Sequence, residues 1–542
     1  MNDVNLTLTM LAAVLISNSL VKMIPLPIPA PLVQISLGFM IAGGFDHGMA
    51  LNPDLFFYLF LPPLLFLDGW RISKENLIRD RIGILVLAFV LVFLTVFGLG
   101  HVLHWLIPGM PLPVAFALAA IVSPTDPVAV SAITRRVPLP PRLQALLEGE
   151  SLFNDASGLV AFRLAVALAM GGSFSMASAG RNFLWLTLAG LAIGVLVTRG
   201  LLLLRNAFVR RWGEEPGLEI LFSLLLPFAA YFIAEQLEAS GILAAVAAGV
   251  TMSYAELSGN ALAATRTQRK AVWDTVQLSL NGMMFVLLGE QLPAIFRGAV
   301  QVVQETGHHN PAWLLVYAVA VCVTLVLLRF LCVYGYLWLR RALSLLGLRH
   351  ETEQANPRLV LVLSVAGVRG AVTLAGVMTL PLSLPDGSPF PARDLAIFLA
   401  SVVIIVSLLI ASLSLPPLMK NVAFPTLRRR QLQEELADQA VRQACVQTVA
   451  HALNELVTRH PDAPSERYAA LANRVLSSLN QGTTDGDAAQ DQAEQILEKN
   501  MQIQAIAAAR NAVYGLARNH QISDEIAREK VRLLDLIKVR MS

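Results

Sequence analysis

The sequence predicts an all-α membrane protein: thirteen transmembrane helices followed by a helical cytoplasmic tail. Three observations predict it. The chain is 55% hydrophobic and only 15% charged over 542 residues, whereas soluble domains carry about 25% charged residues. Apolar stretches, mostly of 16–25 residues, recur between short polar breaks up to about position 419, and each is near the length that crosses about 30 Å of hydrocarbon. Charge is partitioned: residues 420–542 hold 31 charged side chains, and the 419 residues before them hold 48. A membrane domain over 1–420 and a tail of soluble composition over 421–542 follow. The net charge of +3 gives no support to nucleic-acid binding. Cys322, Cys332 and Cys445 have neither the number nor the spacing of a disulfide framework or a zinc site.

The expected spans are 4–22, 28–44, 54–69, 83–107, 113–134, 144–170, 182–204, 217–235, 240–254, 273–291, 311–339, 357–382 and 393–419. The first lacks the basic leader and small-residue cleavage site of a secretory signal. Lys and Arg are enriched in cytoplasmic loops. Odd-numbered loops hold 18 of them, from Lys22 through Arg71, Arg135, Arg205 and Arg266 to Arg358; even-numbered loops hold only Arg181, Arg297 and Arg393. The bias predicts an outside N-terminus, a cytoplasmic C-terminus and a multi-pass plasma-membrane protein (the inner membrane of a bacterium).

Ionisable groups inside a bilayer are costly and mark function. Three segments carry them. In IVSPTDPVAV (121–130), Pro124 and Pro127 bracket Thr125 and Asp126. Proline removes a helix hydrogen bond, so the span must break. Freed carbonyls, a hydroxyl and a carboxylate make an oxygen-rich cradle suited to a hard cation, although Asp126 can equally cap the second half-helix. In EGESLFNDASG (148–158), Glu150 and Asn154 share one helix face, and Ser151 and Asp155 share another. In GVRGAVTLAG (367–376), Arg369 is permanently charged and needs a carboxylate partner, for which Glu150 is the expected choice. Asp68, Arg163, Arg199, Glu235 and Arg329 are expected to pack, pair or reach the interface, with Arg163 close enough in sequence to influence Asp155. The histidines fall at loops and span ends.

A broken helix beside a helix with a buried carboxylate is how secondary transporters build ion sites. Burial disfavours the charged form of Asp155, so one proton or one monovalent cation neutralises it, but not both. Allowing the conformational change only when the site is neutral yields cation/proton exchange. Asn154 stands where a second acid would permit two protons per cation, so the expected exchange is electroneutral, one for one. No phosphate-binding G-x-x-x-x-G-K-[ST] loop is present, so no nucleotide or other cofactor is expected and an ion gradient drives the cycle. A cation channel is the competing class, but channels use carbonyl filters or charged rings. A sensor without transport would need an output motif, and none is recognisable.

LPPLLFLDGW (61–70), SPTDPVAV (123–130), EGESLFNDASG (148–158), SGILAAVAAG (240–249) and GVRGAVTLA (367–375) occur in this order. With them the chain resembles the monovalent cation/proton antiporters of the NhaP and sodium/proton exchanger branch, over residues 4–419. The resemblance implies inverted repeats, a six-helix ion-binding core with crossed broken helices, a dimerisation part, a homodimer and elevator-like motion of the core. It implies that Asp155, Asp126, Ser151 and the carbonyl of Thr125 bind sodium (or lithium or potassium) and the proton. It implies that Glu150, Asn154 and Arg369 form a polar clamp. A potassium/proton antiporter of the same fold is the alternative. Asp68 stands where many relatives carry Glu or a neutral residue, a departure from the pattern, and receives no role. The tail lies outside the resemblance. Its periodicity predicts helices over 432–457, 491–519 and 522–540, with breaks at 461–467 and 480–490; a regulatory role is the hypothesis for it, against a passive helical tail.

Overall fold

The computed structural model describes residues 2–23, 28–44, 53–72, 77–78, 80–107, 109–126, 129–130, 133, 139, 141–171, 176–256, 263–305, 310, 312–345, 357–419, 426–459, 470–477, 492–519 and 521–541. Within these, helices account for the regular structure, and the one β-bridge, Ser383 to Pro389, is isolated. Helices α1 (Asn2–Met23), α2 (Ala30–Gly44) and α3 (Pro53–Arg71) open the chain. Next come α4 (Arg81–Leu106), α5 (Leu112–Val122), α6 (Pro141–Ala169), α7 (Met176–Trp212), α8 (Pro216–Gln236) and α9 (Gly241–Glu256). The membrane part closes with α10 (Ala263–Glu305), α11 (Trp313–Leu345), α12 (Pro357–Val365), α13 (Ala371–Met378) and α14 (Arg393–Met419). Seven of the described helices are long and apolar enough to cross a membrane, and four further apolar ones have 10–17 residues.

Leu15, Met40, Trp105, Leu188, Leu203, Leu315 and Leu413 are strongly exposed on these helices. Apolar groups turned outward this way suit contact with lipid chains, which impose no penalty on them. The helices sort into two bundles. In one, α3 packs on α9, α2 on α10, and α7 and α8 on α9. A side chain at Gly249 would overlap the carbonyl of Phe66, so α3 and α9 approach closely only because that position has no Cβ. In the other bundle, α5 packs between α4 and α6, while α11, α12 and α13 gather on or near α14. The bundles meet where α10 lies against α14 and α3 against α13.

Two spans are broken, each for a sequence reason. Helix α5 stops at Val122, two residues before Pro124. The 357–382 span stops at Val365 and resumes at Ala371, with Gly367 and Gly370 in the gap. Helix α4 holds a π-helical segment, Val86–Val90, and Ser157 on α6 donates a hydrogen bond of 2.6 Å to the Ala88 carbonyl in it. Helix α10 runs beyond the expected span of 273–291 at both ends, and its polar first turns engage the tail through Arg266.

The tail folds as α15 (Thr426–Arg459), a short helix over 470–477, α16 (Gln492–Arg518) and α17 (Asp524–Met541). Its expected breaks at 461–467 and 480–490 lie outside the described residues. Val449, Val475, Ala505 and Ala509 form one tail core, and Ala437, Val513, Ile526 and Val531 a second. Helix α17 docks on α10 through a buried two-bond ion pair, Arg266 Nε to Asp535 Oδ2 at 2.8 Å and Arg266 Nη2 to Asp535 Oδ1 at 2.5 Å. Arg528 of α17 donates to the last carbonyls of α3, Trp70 O at 3.3 Å and Arg71 O at 2.7 Å. A cation there also complements the negative end of the helix dipole. Burial pushes the nearby Tyr514 phenol up to about 12, so at neutral pH it stands near the ion pair uncharged.

Candidate functional site

The two chain breaks cross each other. The Asp126 amide, which would close the helix onto Val122 had α5 continued, instead donates to Val368 O in the second break at 2.7 Å. That leaves Val122 O open, and Arg369 Nε fills it at 2.9 Å. Arg369 also donates through Nη1 to Gly367 O, and its own amide donates to Ser407 Oγ on α14 at 3.1 Å. Its guanidinium therefore serves backbone carbonyls exposed by the breaks, at the negative end of α5. A side chain at Gly370 would overlap the Asp126 carboxylate, so the crossing requires glycine there. Asp126 Oδ1 accepts from the Ala129 amide at 3.3 Å, the capping geometry expected beside its place in the cradle.

Glu150 is completely buried, and its partner is Arg329 of α11, not Arg369. Arg329 Nη1 reaches Glu150 Oε1 at 2.5 Å and Nη2 reaches Oε2 at 2.7 Å, a two-pronged pair. Arg329 Nε donates to Leu363 O at 2.8 Å, beside the second break. Thr125 Oγ1 donates to Glu150 Oε1 at 3.2 Å, and Asn154 Nδ2 donates to Thr125 Oγ1 at 3.0 Å. Glu150, Asn154 and Thr125 therefore form one network anchored by Arg329, and Arg369 sits outside it. The sequence places Arg329 midway along an apolar span with no acid on its own helix. That isolation was the available signal: a buried guanidinium so placed must find a carboxylate elsewhere.

One turn along α6, the second polar face opens on a cavity of about 30 Å³, above the roughly 10–15 Å³ that holds a water-sized occupant. Pro124, Thr125, Asp126, Ser151, Asp155, Gly370, Val372 and Thr373 line it from one bundle. Leu64, Leu65 and Asp68 on α3, with Gln277 and Asn281 on α10, line it from the other. Asp155 is only 5% exposed, and it makes no hydrogen bond or ion pair among the described residues. Thr125, Asp126, Ser151 and Asp155 thus come together as expected. Asp68, Gln277 and Asn281 join them unforeseen. Arg163 turns away from Asp155 and pairs with Glu235 at 3.3 Å.

Crossed half-helices, a buried carboxylate beside them and a small polar cavity between two bundles define a secondary carrier for a small ion. Comparison with known proteins then gives the family. The chain belongs to the sodium/hydrogen exchanger family: the family model "Sodium/hydrogen exchanger, transmembrane" matches residues 9–421. It is 35% identical to an uncharacterized Na(+)/H(+) exchanger, YjcE, of Escherichia coli K12, over 98% of this chain and 97% of that protein. It is 42% identical to a sodium, potassium, lithium and rubidium/H(+) antiporter of Bacillus subtilis over 76% of this chain, and the match spans 60% of that longer protein. The fold matches the sodium proton antiporter MjNhaP1 of Methanocaldococcus jannaschii with a TM-score of 0.54 at 18% identity, covering 77% of this chain and 97% of that one.

Proposed function

We propose that this chain is a secondary antiporter that exchanges sodium, or lithium or potassium, for protons, one for one, by alternating access. The observation that carries the reading is Asp155: buried, without a hydrogen-bond or ion-pair partner among the described residues, and lining a cavity at the junction of two bundles. A lone buried carboxylate is stabilised by whichever single charge neutralises it, so proton and cation compete for it. Asp126, Ser151 and the Thr125 carbonyl complete the cation's oxygen shell. Glu150, Asn154 and Arg369 hold the crossing that shapes it, together with Arg329. The potassium in the name of the Bacillus subtilis relative supports a range of alkali cations rather than sodium alone.

In this reading thirteen helices cross the plasma membrane, with the N-terminus outside and the tail in the cytoplasm, and the chain works as a homodimer. The α4–α6 and α11–α14 bundle moves against the other, carrying Asp155 from one face to the other. The transport reading is tested by dequenching of a pH-sensitive dye in proteoliposomes holding a proton gradient. Sodium, lithium or potassium is expected to collapse the gradient saturably, at a rate unchanged by an imposed voltage. A voltage-driven current without proton coupling would favour a channel instead.

The tail is proposed to tune transport through its hold on α3 and α10. Truncation after Asn421 removes Arg528 from the α3 carbonyls and leaves Arg266 without Asp535. The truncated chain is expected to exchange cations with a shifted pH profile, measured in the same assay. A profile identical to that of the full chain would remove the regulatory role.

A further inference from the structure

Asp155 sits between two landmarks on α6. Toward the start of that helix, Glu148 stands within electrostatic reach of Glu525 and Arg528 of α17, so this end faces the tail. Beyond Asp155, about 12 Å further along the axis, Arg163 reaches out of the bundle. Its Nη2 donates to Glu235 Oε1 at 3.3 Å, on the last turn of α8 in the other bundle. The cavity takes Ser151 and Asp155 from α6 and no described residue beyond Asp155. It therefore extends from Asp155 toward the tail, and the ion pair bridges the two bundles on the far side. The two ends of the bridge are held differently. Glu235 is braced: the same Oε1 accepts from the amide of Gly241, the first residue of α9, at 3.2 Å. Gly241 has no Cβ, which lets Glu235 and Tyr231 lie against it. Arg163 makes no other hydrogen bond or ion pair among the described residues. One nitrogen meets one oxygen, and the arginine is 47% exposed, unlike the buried two-pronged pair of Glu150 and Arg329. A contact of this kind biases an equilibrium without locking it.

We propose that Arg163 and Glu235 are a positioning pair for Asp155: they tie α6 to α8 in the state whose site faces the tail, and they part when Asp155 is presented to the far face. The inference rests on the alternating-access reading above and adds to it a named contact that belongs to one state only. For Asp155 to open to the far face, the bundles must separate where this pair now joins them. Neither residue touches the ion. Their effect is on how the protein divides its time between the two states, because an interaction present in one state and absent from the other shifts the population by its own strength.

The test is the apparent KM for sodium measured separately at each face, in proteoliposomes sorted by whether the tail is accessible from outside. Each apparent affinity is the intrinsic one reduced by the fraction of protein in the competent state. The ratio of far-face to tail-face KM therefore follows the population of the two states, and general damage to the site cancels from it. Arg163→Gln is expected to lower that ratio about fivefold, the upper range for one half-exposed ion pair. Arg163→Lys, which keeps the charge, is expected to hold the wild-type ratio. Glu235→Gln, whose amide oxygen still accepts from Gly241, should lower the ratio as Arg163→Gln does, and the double variant should lower it no further. If Arg163→Gln does not fold, Glu235→Gln alone carries the comparison. An unchanged or raised ratio, an Arg163→Lys variant as altered as Arg163→Gln, or additive effects in the double variant would overturn the inference while leaving antiport intact. A wild-type chain that exchanges nothing overturns the transport reading, and the role of the pair with it.

Discussion

Asp155→Asn is expected to abolish proton-coupled cation movement while leaving the protein folded. The substitution keeps the size of the side chain and removes the one charge that proton and cation share. Its carboxylate makes no hydrogen bond or ion pair among the described residues, so little native structure depends on it. A carboxylate–cation contact at 4 Å with an effective dielectric near 20 is worth about 4 kcal/mol, roughly a thousandfold in occupancy. Exchange in proteoliposomes should therefore fall to the level of empty vesicles at every pH. Thermal unfolding in detergent separates loss of site from loss of fold. The wild type should gain stability with added sodium, since a ligand that binds only the native state stabilises it. The variant should unfold at about the same temperature as sodium-free wild type and gain nothing. Full exchange by Asp155→Asn would show that another group carries the ion.

The largest effect on stability is expected at Arg329. Replacing it by Ala leaves Glu150, 0% exposed, as an uncompensated charge in the interior. Removing one partner of a buried pair costs about 3–5 kcal/mol. It also strips the Leu363 carbonyl and slackens the network to Thr125 and Asn154. Arg329→Lys should recover only part of this, because a point charge cannot make the two-pronged contact. The double variant Glu150→Gln, Arg329→Met should be more stable than Arg329→Ala, since no charge is then stranded. Melting temperature in detergent measures all three. An Arg329→Ala chain within about 1 kcal/mol of wild type would mean that the pair does not hold the core.

The two breaks show how far sequence reaches. Pro124 and Pro127 are local causes, and the interruption after Val122 follows from proline chemistry alone. The opening of 357–382 between Val365 and Ala371 is signalled by Gly367 and Gly370, but glycine permits a break without demanding one. Helical spacing likewise places Ser151 and Asp155 on one face and Glu150 and Asn154 on another, because both pairs lie on one helix. Pairing between helices is a different matter. Glu150 had two buried arginines to choose from, on α11 and on the α12–α13 break. Which one it meets depends on how α6, α11 and α12 pack, and no spacing along the chain encodes that. Asp68, Gln277 and Asn281 were hidden for the same reason. Each sits on an otherwise ordinary span, and only the meeting of two bundles gives them a common cavity. The motifs at 123–130, 148–158 and 367–375 lie on one side of the cavity and the one at 61–70 reaches the other wall at Asp68, but none covers α10, which is why Gln277 and Asn281 went unseen.

The tail's two grips, Arg266 with Asp535 and Arg528 with the α3 carbonyls, both fall on the α3–α10 wall. Neither bond is made to the bundle that holds Asp155, although Glu525 and Arg528 of α17 stand within electrostatic reach of Glu148 on α6. On the proposal above, a tail fastened in this way is expected to act as a keel that stiffens the α3–α10 wall, rather than as a brake on the other bundle. On the alternating-access proposal, its contribution passes through the α3–α10 wall beside Trp70 and Arg71 and through the field of Glu525 and Arg528 at Glu148 on α6.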